Sequence, residues 1–285
     1  MPACFFATDL HGRTARYGKL FAAIAAERPA AVFLGGDLLP SGASPPAEPH
    51  FHDFLHDYMI PEFARLRYSL GDAYPSVFLI LGNDDPRYEE ESFCADAAAE
   101  LWQYIHQRKA SLGDLAVYGY AYVPPTPFLL KDWERYDVSR YIPPACVSPE
   151  EGYRSLAIDE MDIRWGTIHK DLAALAGDAS LDRAIFLFHT PPYDTPLDRA
   201  ALDGKLFEHV ELDVHVGSIA VRRFIEHRQP LLTLHGHIHE STRLTGDWKT
   251  TLGRTVCINA AHDGPELSLV RFDPESPAAA TRDLL

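Results

Sequence analysis

Apolar residues along this chain follow two alternating rhythms. Continuous apolar runs, each closed by polar or glycine residues, read as short buried strands: "ACFFATD", "AAVFLGGD", "SVFLILGNDDP", "LAVYGYAYV", "AIFLFHTPP", "LLTLHGH", "GRTVCINA" and "ELSLVRFD". Between several of them the spacing is that of a helix, as in "RTARYGKLFAAIAAERP", an amphipathic segment around residues 51–68, "EESFCADAAAELWQYIHQR" and "SIAVRRFIEHRQP". This alternation predicts an α/β fold with helices on both faces of a sheet. The stretch 123–150 keeps neither rhythm. Its prolines and aromatics predict an insertion covering one edge of a single domain that spans residues 1–285. Trp133, Tyr136 and Tyr141 within it are expected to pack on the sheet edge rather than line a pocket.

Composition narrows the partners. The chain is 46% hydrophobic and 24% charged, with 26 basic and 41 acidic residues and a net charge of −15. A field of that sign repels nucleic-acid backbone and acidic lipid surfaces, but not a small phosphorylated substrate held by local cations. Cys4, Cys94, Cys146 and Cys257 form no closely spaced pair, so they read as reduced thiols of a cytoplasmic protein. No basic segment precedes the first apolar run and Asp9 interrupts it, so it reads as a strand, not a signal peptide. No apolar stretch approaches the ~18 residues of a membrane span.

The candidate chemistry gathers at the strand ends. Asp9 and His11 follow the first strand, Asp37 the second, Asn83 and Asp84 the third. His189 closes "AIFLF", and His235, His237 and His239 close "LLTL". Alone, Asp9, Asp37 and Asn83 read as caps or turn formers. With histidines at the ends of the other strands they read as metal ligands, since α/β sheets bind ligands at the carboxyl ends of their strands. Carboxylates, an amide oxygen and imidazoles, without a thiolate, suit Mn, Fe, Zn or Ni. Asp9, His11, Asp37, Asn83, His189, His237 and His239 are too many for one tetrahedral ion. Two divalent ions about 3.5–4 Å apart and sharing a carboxylate would use them all.

Five blocks in order, "DLH" at 9–11, "GGD" at 35–37, "GND" at 82–84, His189 and "GHIH" at 236–239, resemble the calcineurin-like metallophosphoesterase superfamily. "HTPPYDTPLD", "HVGSIAVRRFIEHRQPLLTLHGHIHES" and "INA" are similar to its bacterial branch related to the Icc cyclic-nucleotide phosphodiesterase. The resemblance implies a four-layer αββα sandwich of two mixed β-sheets flanked by helices, with a dinuclear metal site at the strand C-terminal ends. It implies that Asp9, His11, Asp37 and His239 hold one ion and that Asp37, Asn83, His189 and His237 hold the other. The implied activity is phosphoester hydrolysis, diester before monoester, by a hydroxide between the ions. The implied substrate is a small phosphorylated molecule, with nucleotides and cyclic nucleotides among the candidates.

The third block departs from the family. Many members read GNH, and that His assists the leaving oxygen; here Asp84 stands in its place. A protonated Asp84 could donate only with a raised pKa, whereas nearby cations push the other way. The substitution keeps a rival reading open, a weak or inactive metal-binding scaffold acting in protein interaction. An amidohydrolase using "DLH" as a metal pair fits "GND" and "GHIH" poorly. His235 reads as a residue behind the ligands or in the core. His215 and Ser218, in "DVHVGS", read equally as an anion-binding corner or as a helix cap beside a solvated imidazole. His50, His52 and His56 read as a solvated face, although His52 and His56 are four residues apart and could share a metal. His215 and this trio are the remaining candidates for the acid role.

Overall fold

The computed structural model describes residues 3–41, 51–95, 98 and 100–285, so His50 lies outside the described residues. Its strands are β1 (Cys4–Ala7), β2 (Ala31–Gly35), β3 (Ser76–Ile80), β4 (Gln103–Tyr104), β5 (Arg108–Leu112), β6 (Leu115–Tyr120) and β7 (Ala184–Phe188). They continue with β8 (Leu206–Phe207), β9 (Val210–Glu211), β10 (Leu232–His235), β11 (Lys249–Leu252), β12 (Thr255–Asn259), β13 (Ser268–Phe272) and β14 (Thr281–Leu284). One six-stranded sheet has the order β14-β13-β1-β2-β3-β4 and a second the order β11-β12-β10-β7-β6-β5. In the first sheet β1 to β4 run parallel and β13 and β14 add antiparallel; in the second β12, β10, β7 and β6 run parallel and β11 and β5 add antiparallel at the edges, so both sheets are mixed. The sheets meet through β2 and β3 on one side and β6 and β7 on the other. Helices cover their other faces, giving the αββα order. Strands covered on both faces need no polar alternation, which is why β1, β2 and β7 are apolar and buried throughout.

The helix Thr14–Glu27 buries Tyr17, Leu20 and Ile24 at helical spacing and stops at Arg28, whose φ of 48° is left-handed. The segment around residues 51–68 is helical, a π-turn at Leu55–Met59 running into an α-helix at Ile60–Leu70. The helix expected over "EESFCADAAAELWQYIHQR" is a correction. Among the described residues Glu90–Cys94 and Ala98 are helical, and the chain then enters β4 and β5. Trp102, Tyr104 and His106 are buried while Gln103 and Gln107 are exposed, so tertiary packing selects the strand rhythm over the helical one. Among the described residues no helix is long and apolar enough to cross a membrane.

Between β6 and the helix Glu160–Trp165 the chain is irregular and is tied down by buried polar contacts. Lys131 Nζ lies 2.6 Å from Glu134 Oε2 and 3.0 Å from the Thr126 carbonyl, both side chains fully buried. Trp133 is fully buried and Tyr136 nearly so, whereas Tyr141 is 70% exposed. Trp133 Nε1 donates to the Asp85 carbonyl at 2.9 Å, and Asp132 Oδ2 accepts from Arg87 N at 2.8 Å. The segment therefore grips the loop that follows β3.

Asp85 clasps that loop to its neighbour. Its buried carboxylate accepts from Gly82 N (2.9 Å), Leu38 N (3.1 Å) and Leu39 N (2.8 Å), joining the loops after β3 and β2. Asp85→Ala orphans these three buried amides, at about 1–3 kcal/mol each. Its expected destabilisation is therefore at least about 3 kcal/mol, read from the urea midpoint at unchanged m-value; a midpoint equal to wild type refutes the clasp. Trp133→Phe removes one donor from the Asp85 carbonyl and is expected to lower stability by about 1–3 kcal/mol in the same measurement.

Candidate metal centre

The carboxyl ends of β1, β2, β3, β7 and β10 converge where the two sheets meet. Asp9, His11, Asp37 and His237 all have left-handed backbones, with φ of 55°, 47°, 51° and 71°. Such conformations cost non-glycine residues about 1–3 kcal/mol and persist where the surroundings over-determine them. Here the surroundings are backbone bonds between loops: Asp9 N to Gly36 O (3.0 Å) and His11 N to Asp37 O (2.8 Å). Glycine is required at 82, because a Cβ there would come within 2.2 Å of Asp37 Oδ1.

Two groups of donor atoms result. Asp9, His11, Asp37 and His239 each place one ligand atom within 4.8 Å of the others, and Asp37, His189 and His237 do the same. Asp37 belongs to both groups. Asn83 joins the second, its Oδ1 3.1 Å from His189 Nε2. The chemistry of these atoms fits cations. His189 Nδ1 donates to the Gly35 carbonyl at 2.8 Å, which leaves Nε2 as the nitrogen that faces the site, a proton carrier in the imidazolium and a lone-pair donor to a cation in the neutral ring. Nε2 faces Asn83 Oδ1 and, at 3.3 Å, Asp37 Oδ2, so either a proton or a cation must sit between these atoms. On the other side His11 Nε2 and His239 Nε2 stand 3.2 Å apart, with Asp9 Oδ1 3.0 Å from His239. His11 Nδ1 is buried without a hydrogen bond.

Titration behaviour reports the same demand for positive charge. Burial disfavours the charged form of His189, but the Asp37 carboxylate outweighs it and pushes the pKa up to about 10. His237, buried and facing His189, is held down to about 3. Asp37 is lowered despite burial, through His189. Asp84 is raised to about 6 by burial and by Asp37. Its amide donates to Asp37 Oδ1 at 2.8 Å, its side chain is 27% exposed, and its Oδ2 lies 3.7 Å from His11 Nδ1.

The other histidines lie elsewhere. β10 ends at His235, so the expected strand through His237 stops two residues early and the two rings do not share a face. His235 bonds Thr190 O (2.9 Å) and Thr233 Oγ1 (2.8 Å) and stacks on Phe188, which leaves neither nitrogen free. Ser218 caps the helix Ile219–Arg228, but the Asp137 carboxylate fills the corner, accepting from Ser218 Oγ, Ile219 N and Ala220 N at 2.6–3.1 Å. His215 bonds Asp198 instead, at 2.8 Å. His56 is exposed and bonds Asp53, and among the described residues His52 and His56 join no metal-binding group.

Sequence reasoning missed Asp85 and Arg16. Buried Arg16 donates to the carbonyls of Asp9 and Gly264, both at 2.5 Å. Asp85 stood in plain sight beside Asp84, and only its three amide partners reveal it. Arg16 sits on a helix face whose apolar spacing it interrupts, the one available signal.

Solved structures share the fold. The fold matches a solved structure with a TM-score of 0.62 at 19% identity, over 99% of this chain and 98% of that one. It matches TT1561 of Thermus thermophilus with a TM-score of 0.56 at 18% identity, over 99% and 98%. It matches the phosphopantetheinyl hydrolase PptH of Mycobacterium tuberculosis with a TM-score of 0.50 at 12% identity, over 92% and 90%. No curated protein sequence matches. The sequence profile of the calcineurin-like phosphoesterases matches residues 5–241, and the chain belongs to that family of metal-dependent phosphoester hydrolases.

Proposed function

We propose that the chain hydrolyses small phosphodiesters with two divalent cations, drawn from Mn, Fe, Zn or Ni. Asp9, His11, Asp37 and His239 hold one, and Asp37, Asn83, His189 and His237 hold the other. The observation that carries the reading is the pair of buried donor groups sharing Asp37. Cations bound there lower the pKa of water and offset charge on phosphoryl oxygens. The chain's own part is orientation. Gly35 O fixes the His189 tautomer, and the amides of Asp84 and His237 hold the Asp37 and Asp9 carboxylates in place.

Charge supports the diester. A monoester carries up to two negative charges near neutrality and a diester one. An ionised Asp84 at the mouth therefore opposes the monoester more strongly. The same argument, with a net charge of −15, favours compact substrates such as nucleotides or cyclic nucleotides over nucleic-acid polymers.

The test is turnover of bis(p-nitrophenyl) phosphate and p-nitrophenyl phosphate by stripped protein reloaded with each metal. The expected result is metal-dependent, diester-favouring turnover, cut at least about a thousandfold by Asp37→Ala, the several kcal/mol that a bound cation contributes. The reloaded wild type is also expected to be more stable than chelated protein, by about 2.7 kcal/mol for each ion at a hundredfold excess over its Kd, read as a higher unfolding temperature; Asp37→Ala loses that gain. Asp84→Asn is expected to raise monoester turnover relative to diester. Two bound metals with no turnover of either ester would favour the scaffold reading.

A further inference from the structure

Arg16 stands where an arginine is disfavoured on several counts. It lies in the first turn of the helix Thr14–Glu27, at the positive end of the helix dipole, and that turn holds no acidic residue. It is only 4% exposed. Its hydrogen-bond partners among the described residues are carbonyls alone: Asp9 O (2.5 Å), Gly264 O (2.5 Å) and His262 O (3.4 Å). Its Nε is buried without a partner. A buried charge with no carboxylate bonded to it is costly. An apolar side chain would extend the buried face of Tyr17, Leu20 and Ile24 without that cost, so the carbonyls that the guanidinium holds must account for it.

What it holds is the backbone of a candidate ligand. Asp9 N donates to Gly36 O at 3.0 Å, and Asp9 O accepts from Arg16 Nη1. These two bonds pin the planar peptide groups on either side of the Asp9 Cα, and the two planes together set the direction of its Cα–Cβ bond. The left-handed φ of 55° at Asp9 is therefore held from both sides. The planar fork reaches a second anchor at the same time. Nη2 binds Gly264 O in the turn between β12 and β13, and Arg13 Nη1 lies 3.5 Å from the same carbonyl. From that turn Asp263 Oδ2 also accepts from Arg243 Nε at 2.6 Å. Arg243 belongs to the helix Ser241–Thr245, which begins two residues after His239. The turn thus reaches the backbone of Asp9 on one side and the helix behind His239 on the other, and Asp9 Oδ1 faces His239 Nε2 across 3.0 Å. It lies beyond residues 5–241, which carry the family likeness.

We propose that Arg16 is a positioning residue for one of the two cations and, given the two-cation reading, sets the affinity of that ion without setting that of its neighbour. It locks Asp9 against the 262–264 turn, and so fixes the carboxylate relative to His11 and His239. Its bonds reach none of Asn83, His189 and His237. The opposing effect has the opposite sign. A guanidinium repels a nearby cation, so repulsion alone predicts tighter binding once Arg16 is removed. Loss of ligand orientation predicts weaker binding.

The experiment is a calorimetric titration of metal-stripped, full-length protein with Mn(II). Wild type is expected to take two equivalents. Arg16→Met is expected to weaken one of them by about tenfold to a hundredfold and to leave the other within about twofold. Arg16→Lys keeps the charge but cannot bridge two carbonyls, and is expected to lose most of the same affinity. It carries the test if Arg16→Met fails to fold. Wild-type affinity in Arg16→Lys, tighter binding in Arg16→Met, or equal weakening of both ions in either variant overturns the positioning role. Fewer than two equivalents bound by wild type overturns the two-cation reading, and the positioning role with it.

Discussion

A carboxylate taken out of water without a partner costs several kcal/mol, and Asp9 and Asp37 are both taken out of water in one cluster. Everything around them answers that constraint. Backbone amides of Asp84 and His237 point at the two carboxylates. Imidazoles close the remaining sides, but they bring lone pairs of their own. Protons on His189 and His239 offset part of the negative charge, and a divalent ion that takes their place neutralises the carboxylates more fully and releases those protons.

Holding such a cluster together requires loops that cannot relax. The loops after β1, β2 and β10 use left-handed residues with side chains, a conformation normally left to glycine. Asp85 keeps the loop after β2 in register with the loop after β3 by giving one carboxylate to three amides. Trp133 reaches from the irregular segment after β6 to the Asp85 carbonyl, and the buried Lys131–Glu134 pair stiffens that segment. A buried ion pair adds little net stability, but breaking one partner is expensive, so it enforces a single arrangement. Strain at the centre is thus matched by rigidity behind it.

Much of this architecture was legible in the chain. Apolar runs located the central strands of both sheets, because a strand covered on both faces must be apolar throughout. The polar residues closing those runs located the cluster, because nothing else accounts for carboxylates and imidazoles at so many strand ends. Edge elements were harder. β5, β11 and β14 are partly exposed and mixed in character, and "EESFCADAAAELWQYIHQR" carries helical spacing and a two-residue alternation at once.

What the sequence determined by itself was local: which segments bury, where each one ends, and which ligand types stand there. What only the tertiary structure decided was who faces whom. His235 and His237 are two residues apart, yet one is locked into the core by Thr190 and Thr233 while a left-handed turn carries the other to Asp9 and Asp37. Ser218 caps a helix whose anion is the chain's own Asp137, and His215 turns to Asp198 instead. Periodicity encodes burial because burial is a property of each residue. Hydrogen-bond partnership belongs to pairs brought together from distant parts of the chain, and spacing along the chain carries no trace of it.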